Sequence, residues 1–258
     1  MHGNFNTPEH FMDNKSEEDI GRSELVPRQN RGIIRHRVEN FGQSVLGAQL
    51  EVFRPAEGKG TYVVMAGQHG TEPEGVVLLS SVLRSVPPEA LRSSVVTALN
   101  PDGLARGTRG NANGVDLNRN FPTSNWTASP TYYCWNNENH KDTKLGTGAT
   151  PQSEPETQAL LHLLSNSAYK AVVSIHTPLG CIDDPAMSRL GKYLSEAMEL
   201  PLVKDVGYRT PGSLGTWCRK NGVHLITVEL PFDTIQNHRR KYTAVFLELL
   251  TGEIDRFV

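Results

Sequence analysis

Four short runs of apolar, β-branched residues punctuate the chain: TYVVMAG at 61–67, SSVVTALN at 93–100, KAVVSIH at 170–176 and HLITVEL at 224–230. Each is nearly continuous in apolarity, the pattern of a strand buried on both faces. Stretches of helical periodicity lie between them. The clearest opens at Ser153-Glu154-Pro155-Glu156, where Ser followed three residues later by Glu predicts a capping box, and TQALLHLL then supplies an apolar face. Further helices are predicted to start near Glu74, Pro185 and Asp233. This alternation predicts an α/β fold, a mixed, mostly parallel twisted sheet with helices on both faces. Ligands of such sheets bind beyond the carboxyl ends of the strands. His69, Asn100, His176 and Glu229 each fall at or just past such an end, so four strands deliver hydrophilic groups to one rim.

A chain of 258 residues with 37% hydrophobic composition can bury one large core. Residues 1–31 are rich in charges and amides and poor in apolar side chains, which predicts a mobile N-terminal extension before a single catalytic domain at 32–258. Twenty-six basic and twenty-eight acidic residues leave a net charge of -2, too small a field to grip nucleic acid or an anionic membrane. The expected partner is therefore a small molecule recognised locally, and a homodimer stays open. The first thirty residues have no apolar core of a signal peptide, and no uninterrupted apolar run of membrane-spanning length occurs. Cys134, Cys181 and Cys218 are odd in number and widely spaced, so neither a disulfide framework nor a cysteine metal knot is expected. Together these features predict a soluble protein of the reducing cytoplasm.

The chemistry-bearing residues are few. His69-Gly70-Thr71-Glu72 places an imidazole and a carboxylate three positions apart at a strand-to-helix turn, where both can converge on one cation. Zinc takes such ligands well, and a catalytic site adds a third protein ligand and keeps one position open. His176, ending its strand, is the candidate third; taken alone it also fits a hydrogen-bonded core histidine. No G-x-S-x-G elbow is present, and none of the cysteines sits in a recognisable catalytic signature.

Between Asn100 and Pro122 the chain reads NPDGLARGTRGNANGVDLNRNFP. With His69-x-x-Glu72, His176, the Tyr208 region and Glu229, this resembles the zinc carboxypeptidase family over about residues 40–250, in consistent order. The resemblance implies one Zn2+ per chain, held by His69, Glu72 and His176. It implies Asp116 as the carboxylate that orients the first histidine. Asn118 and Arg119 match the pair that grips a substrate carboxylate, a task suited to an arginine fork. Arg109 matches the arginine that stabilises the oxyanion, with Arg106 as a rival in the same loop. Tyr208 matches the tyrosine that closes over bound substrate, and Glu229 the catalytic glutamate.

Within that family, GVDLNRNFPTSNW, SEPETQAL, CIDDP and VGYRTPGSLGTWC are most similar to members that act on murein tripeptide in peptidoglycan recycling. That likeness implies hydrolysis of the bond between γ-D-glutamate and meso-diaminopimelate. The distal ammonium of diaminopimelate needs an acidic partner, and Asp183 and Asp184 are the candidates; a helix N-cap before Pro185 is their other reading. Cleavage of ordinary peptides, deacylation of N-acyl amino acids, and a metal-binding module without catalysis are the alternatives.

Overall fold

The computed structural model describes residues 32–133, 143–165 and 169–256. The expectations for residues 1–31 and for Cys134 lie outside them. In chain order the strands are β1 (Arg37–Gln43), β2 (Gln49–Arg54), β3 (Tyr62–Met65), β4 (Ser94–Val96), β5 (Thr131–Tyr133), β6 (Thr143–Leu145), β7 (Ala171–His176), β8 (Leu179–Asp183), β9 (Leu202–Val203) and β10 (Leu225–Pro231). The helices are α1 (Pro73–Ser85), α2 (Pro101–Arg106), α3 (Pro155–Ser165), α4 (Arg189–Met198), α5 (Leu214–Lys220) and α6 (Ile235–Thr251).

One eight-stranded sheet runs β1-β2-β4-β3-β7-β10-β8-β9. Its central strands β4, β3, β7 and β10 are mutually parallel, whereas β2 joins β4, and β8 joins β10, antiparallel. The fold is therefore the mixed, mostly parallel α/β class expected. The continuous apolar runs have a direct cause: alternate residues of one strand serve two different cores. Tyr62, Val64, Ala66, Val173 and Ile175 pack with α1, α4 and α6, while Val63, Met65 and Val172 pack with α3 and α5. Because side chains alternate faces along a strand, both sets must be apolar.

Three local expectations change. α4 starts at Arg189, not near Pro185, because Asp184 first holds a turn by accepting from Ala186 N, Ser188 N and Ser188 Oγ. The capping box at α3 does not form. Glu156 is fully buried and accepts from Val45 N and Asn111 Nδ2, while Ser153 Oγ donates to Glu154. Asn100 does not face the rim: it is buried and caps α2 by accepting from Gly103 N at 2.9 Å.

Candidate metal centre and active site

His69 and Glu72 come from the turn between β3 and α1. That turn packs so closely on the start of α2 that a Cβ at Gly70 would lie 2.1 Å from the Gly103 backbone, so only glycine fits. His176 ends β7, and Glu229 sits beside it, their backbones paired in the parallel ladder of β7 and β10. Asp116 and Arg109 arrive from the loop after α2, and Asn118 and Arg119 from the single 3-10 turn that follows.

His69, Glu72 and His176 are all buried, and their potential ligand atoms lie within 4.8 Å of one another. His69 Nδ1 is 2.9 Å from Glu72 Oε1, His176 Nδ1 is 2.9 Å from Glu72 Oε2, and the two Nδ1 atoms are 3.2 Å apart. Two imidazole nitrogens facing each other at that range cannot both carry protons. Tetrahedral zinc with bonds of about 2.1 Å sets its ligand atoms about 3.4 Å apart, close to these separations. Each imidazole is also turned the right way round. His69 Nε2 meets Asp116 Oδ1 at 3.1 Å and His176 Nε2 meets Ser174 Oγ at 3.0 Å, which leaves both Nδ1 atoms aimed at the common centre. The residues fit a zinc ion.

The electrostatics show the same demand for positive charge. Burial and Arg109 push His69 down, yet Glu72 and Asp116 outweigh them and the net direction is up, toward imidazolium. Burial pushes Glu72 up, but His69, Arg109 and His176 together hold it well below the usual carboxylate range. Asp116 is likewise held far below that range: burial opposes ionisation, and His69, Arg109 and Arg119 overcome it. Glu229 goes the other way. It is 8% exposed, and burial raises it despite the lowering influence of His176, which suits a group that must take up a proton.

Arg109 Nη1 donates to Glu72 Oε1 at 2.6 Å, and its guanidinium lies 4.6 Å from the centre of the Tyr133 ring. Arg106 instead donates to its own helix, at Asp102 O, so Arg109 is the arginine beside the metal ligands. Asn118 Oδ1 accepts from Leu214 N at 2.9 Å, so what Asn118 can offer an anion is its NH2 group. Asn118, Arg119, His69, Glu72, His176, Glu229 and Tyr208 all line one cleft of about 310 Å³. Tyr208 is 56% exposed at its rim.

A second cavity of about 460 Å³ opens from this cleft past Asp183, Tyr208 and Ser213. Asp183 Oδ1 is buried with no hydrogen-bond partner among the described residues. Burial, then Glu229, Asp205 and Asp184, push its carboxyl up to about 6. Asp184 is a different case from the one anticipated. It lines the same cavity but is fully buried and, besides its three bonds to the turn, faces His224 Nε2 at 3.1 Å, so it shapes the loop.

Two residues of this site were missed in the sequence. Ser174 lies two positions before His176, hence on the same side of the strand, and a lone serine in so apolar a run was its signal. Tyr133 belongs to the aromatic stretch TYYCW, whose hairpin of β5 and β6 lines the cleft through Thr131, Tyr132, Tyr133 and Leu145.

The zinc carboxypeptidase family model matches residues 30–178, more than half of the chain. This protein belongs to the zinc carboxypeptidase family. As a member it is a hydrolytic enzyme. The zinc carboxypeptidase is 47% identical to murein peptide amidase A of Escherichia coli K12 over 226 residues, covering 87% of this chain and 93% of that one. It is 44% identical to murein peptide amidase A of Vibrio campbellii, covering 90% and 94%. Among solved structures, murein-tripeptide amidase from Escherichia coli O157 superposes with a TM-score of 0.85 at 45% identity, covering 88% of this chain and 97% of that one. Carboxypeptidase A of Helicoverpa armigera, at 17% identity and a TM-score of 0.62, shares the fold.

Proposed function

We propose that residues 32–258 form a single catalytic domain that hydrolyses the amide between γ-D-glutamate and meso-diaminopimelate in murein tripeptide, in the cytoplasm, as part of peptidoglycan recycling. The observation that carries this reading is the charge of the second cavity, joined to the names of the relatives. Beside the unpartnered Asp183 its walls carry Asp205, Lys204 and Arg219, both signs of charge where a pocket for an aromatic side chain is apolar. The distal end of diaminopimelate bears one ammonium and one carboxylate, and such walls complement it. Cytoplasmic residence is consistent with Cys181 and Cys218, buried free thiols.

His69, Glu72 and His176 would hold a single zinc ion, which supplies a Lewis acid that makes water a nucleophile near neutral pH and polarises the scissile carbonyl. The chain's own groups do the rest. Glu229 takes a proton from the attacking water and returns it to the departing amine. Arg109 presents N–H donors where negative charge builds on the carbonyl oxygen. Arg119 and the Asn118 NH2 bind the α-carboxylate next to the scissile nitrogen, so the reaction is formally that of a carboxypeptidase. Tyr208, exposed at the mouth, closes over the amine half.

The tripeptide L-Ala-γ-D-Glu-meso-diaminopimelate is expected to be cleaved far faster than its α-linked isomer or an N-acyl amino acid, measured as kcat/KM. Preference for either alternative removes the murein reading. Asp183 gives a second test. A charge-assisted hydrogen bond contributes on the order of 1.5–3 kcal/mol, so Asp183→Asn is expected to raise KM about 10- to 100-fold. The loss is confined to substrates that carry the distal ammonium; a tripeptide ending in 2-aminopimelate is cleaved equally by both enzymes. Because Asp183 titrates near 6, the same KM also rises as pH falls below that value in the parent and stays flat in the variant.

A further inference from the structure

A third cavity, of about 360 Å³, adjoins the cleft. It shares Arg109, Tyr133 and Leu145 with the cleft and no residue with the Asp183 cavity. The two cavities therefore adjoin the cleft through different residues. If the amine half of the substrate occupies the Asp183 end, this one faces the acyl half. Its chemistry is one-sided: Arg106 and Arg109 line it, and none of the described residues lining it is acidic. Arg109 is already tied to Glu72, but Arg106 forms no ion pair among the described residues and donates only to the Asp102 carbonyl. Thr71 adds an independent sign. It lines the same cavity, and its Oγ1 is buried with no hydrogen-bond partner among the described residues. A buried hydroxyl left so is disfavoured unless a ligand completes it.

We infer that this cavity binds a carboxylate on the acyl side of the scissile bond, through the Arg106 guanidinium and the Thr71 hydroxyl. The inference rests on the murein reading and deepens it. In a γ-glutamyl amide the α-carboxylate is free, three carbons beyond the scissile carbonyl. A cationic cavity beside Arg109 is placed to receive it. An arginine fork suits the task because it donates two directed, charge-assisted hydrogen bonds.

The test crosses a substrate change with a protein change. The substrate analogue replaces γ-D-glutamate by 4-aminobutyrate, which keeps the chain length and lacks only the α-carboxylate. With the zinc-loaded parent, the analogue is expected to show a kcat/KM about 10- to 100-fold lower than the tripeptide, chiefly through KM. Arg106→Gln is expected to lower the tripeptide by a similar factor, and Thr71→Val by a smaller one. Changing both arginine and substrate costs no more than changing either, since both remove the same contact. Equal losses of R106Q on both substrates, or none on either, overturn the inference while the murein reading stands. A parent enzyme that ignores the missing carboxylate overturns it too. A parent that leaves the tripeptide intact takes both readings down together. Cleavage of the analogue by R106Q at the parent's rate with the analogue shows that the variant is folded.

Discussion

Glu229→Gln retains a full zinc complement and loses turnover by about 10²- to 10⁴-fold. The two effects separate because Glu229 stands beside the ligand cluster without belonging to it: the convergent ligand atoms are those of His69, Glu72 and His176. Glutamine has the same shape and keeps the strand intact, but its amide cannot accept the proton of the attacking water. The raised carboxyl of Glu229 sharpens the expectation. A base held above the ordinary carboxylate range takes the water's proton more readily than one held low, so the loss falls on kcat, with KM nearly constant. Metal analysis beside steady-state kinetics decides the matter. Near-parental kcat in a zinc-loaded variant would remove Glu229 from the mechanism.

Stripping the metal with a chelator abolishes hydrolysis, and one equivalent of zinc restores it. The same treatment lowers the unfolding midpoint. A ligand that binds only the folded chain stabilises it by about 2.7 kcal/mol at a hundred times its Kd, and for a chain of this size that corresponds to roughly 5–10 °C. The direction follows from the cluster. Without a cation, two imidazole nitrogens 3.2 Å apart and the Glu72 carboxylate face one another inside the protein. With one, all three are satisfied. His176→Ala removes a ligand from the rigid end of a buried strand, so it abolishes both the activity and the zinc-dependent part of the thermal shift. A variant that kept that shift would locate the metal elsewhere.

The sequence made the four central strands legible because each serves two cores and is therefore apolar along most of its length. The outer strands escaped it. β1, RVENFGQ, is exposed or half-buried throughout and carries no such pattern. The ligand triad was legible as a motif with a resemblance behind it, but two choices needed three dimensions. Arg106 and Arg109 are indistinguishable in ARGTRG; only packing sends one to Glu72 and the other to its own helix. Asp183 and Asp184 are adjacent and chemically identical. Alternation along β8 turns Asp183 toward the cavity, while Asp184, just past the strand end, is drawn into the following turn. A misread capping box has the same origin: Glu156 had a more distant partner, Val45, that no local pattern reveals.

The backbone pairing of His176 with Glu229 carries a lesson for anyone who would retool this enzyme. Their spacing is fixed by a hydrogen-bonded ladder in the middle of the sheet, so loop replacement leaves the distance between the two side chains untouched. Libraries aimed at new amide substrates can therefore vary the 131–132 and 143–145 positions and the 204–207 segment while keeping Tyr133 and Tyr208, whereas a single inserted residue in β7 or β10 would shift His176 against Glu229.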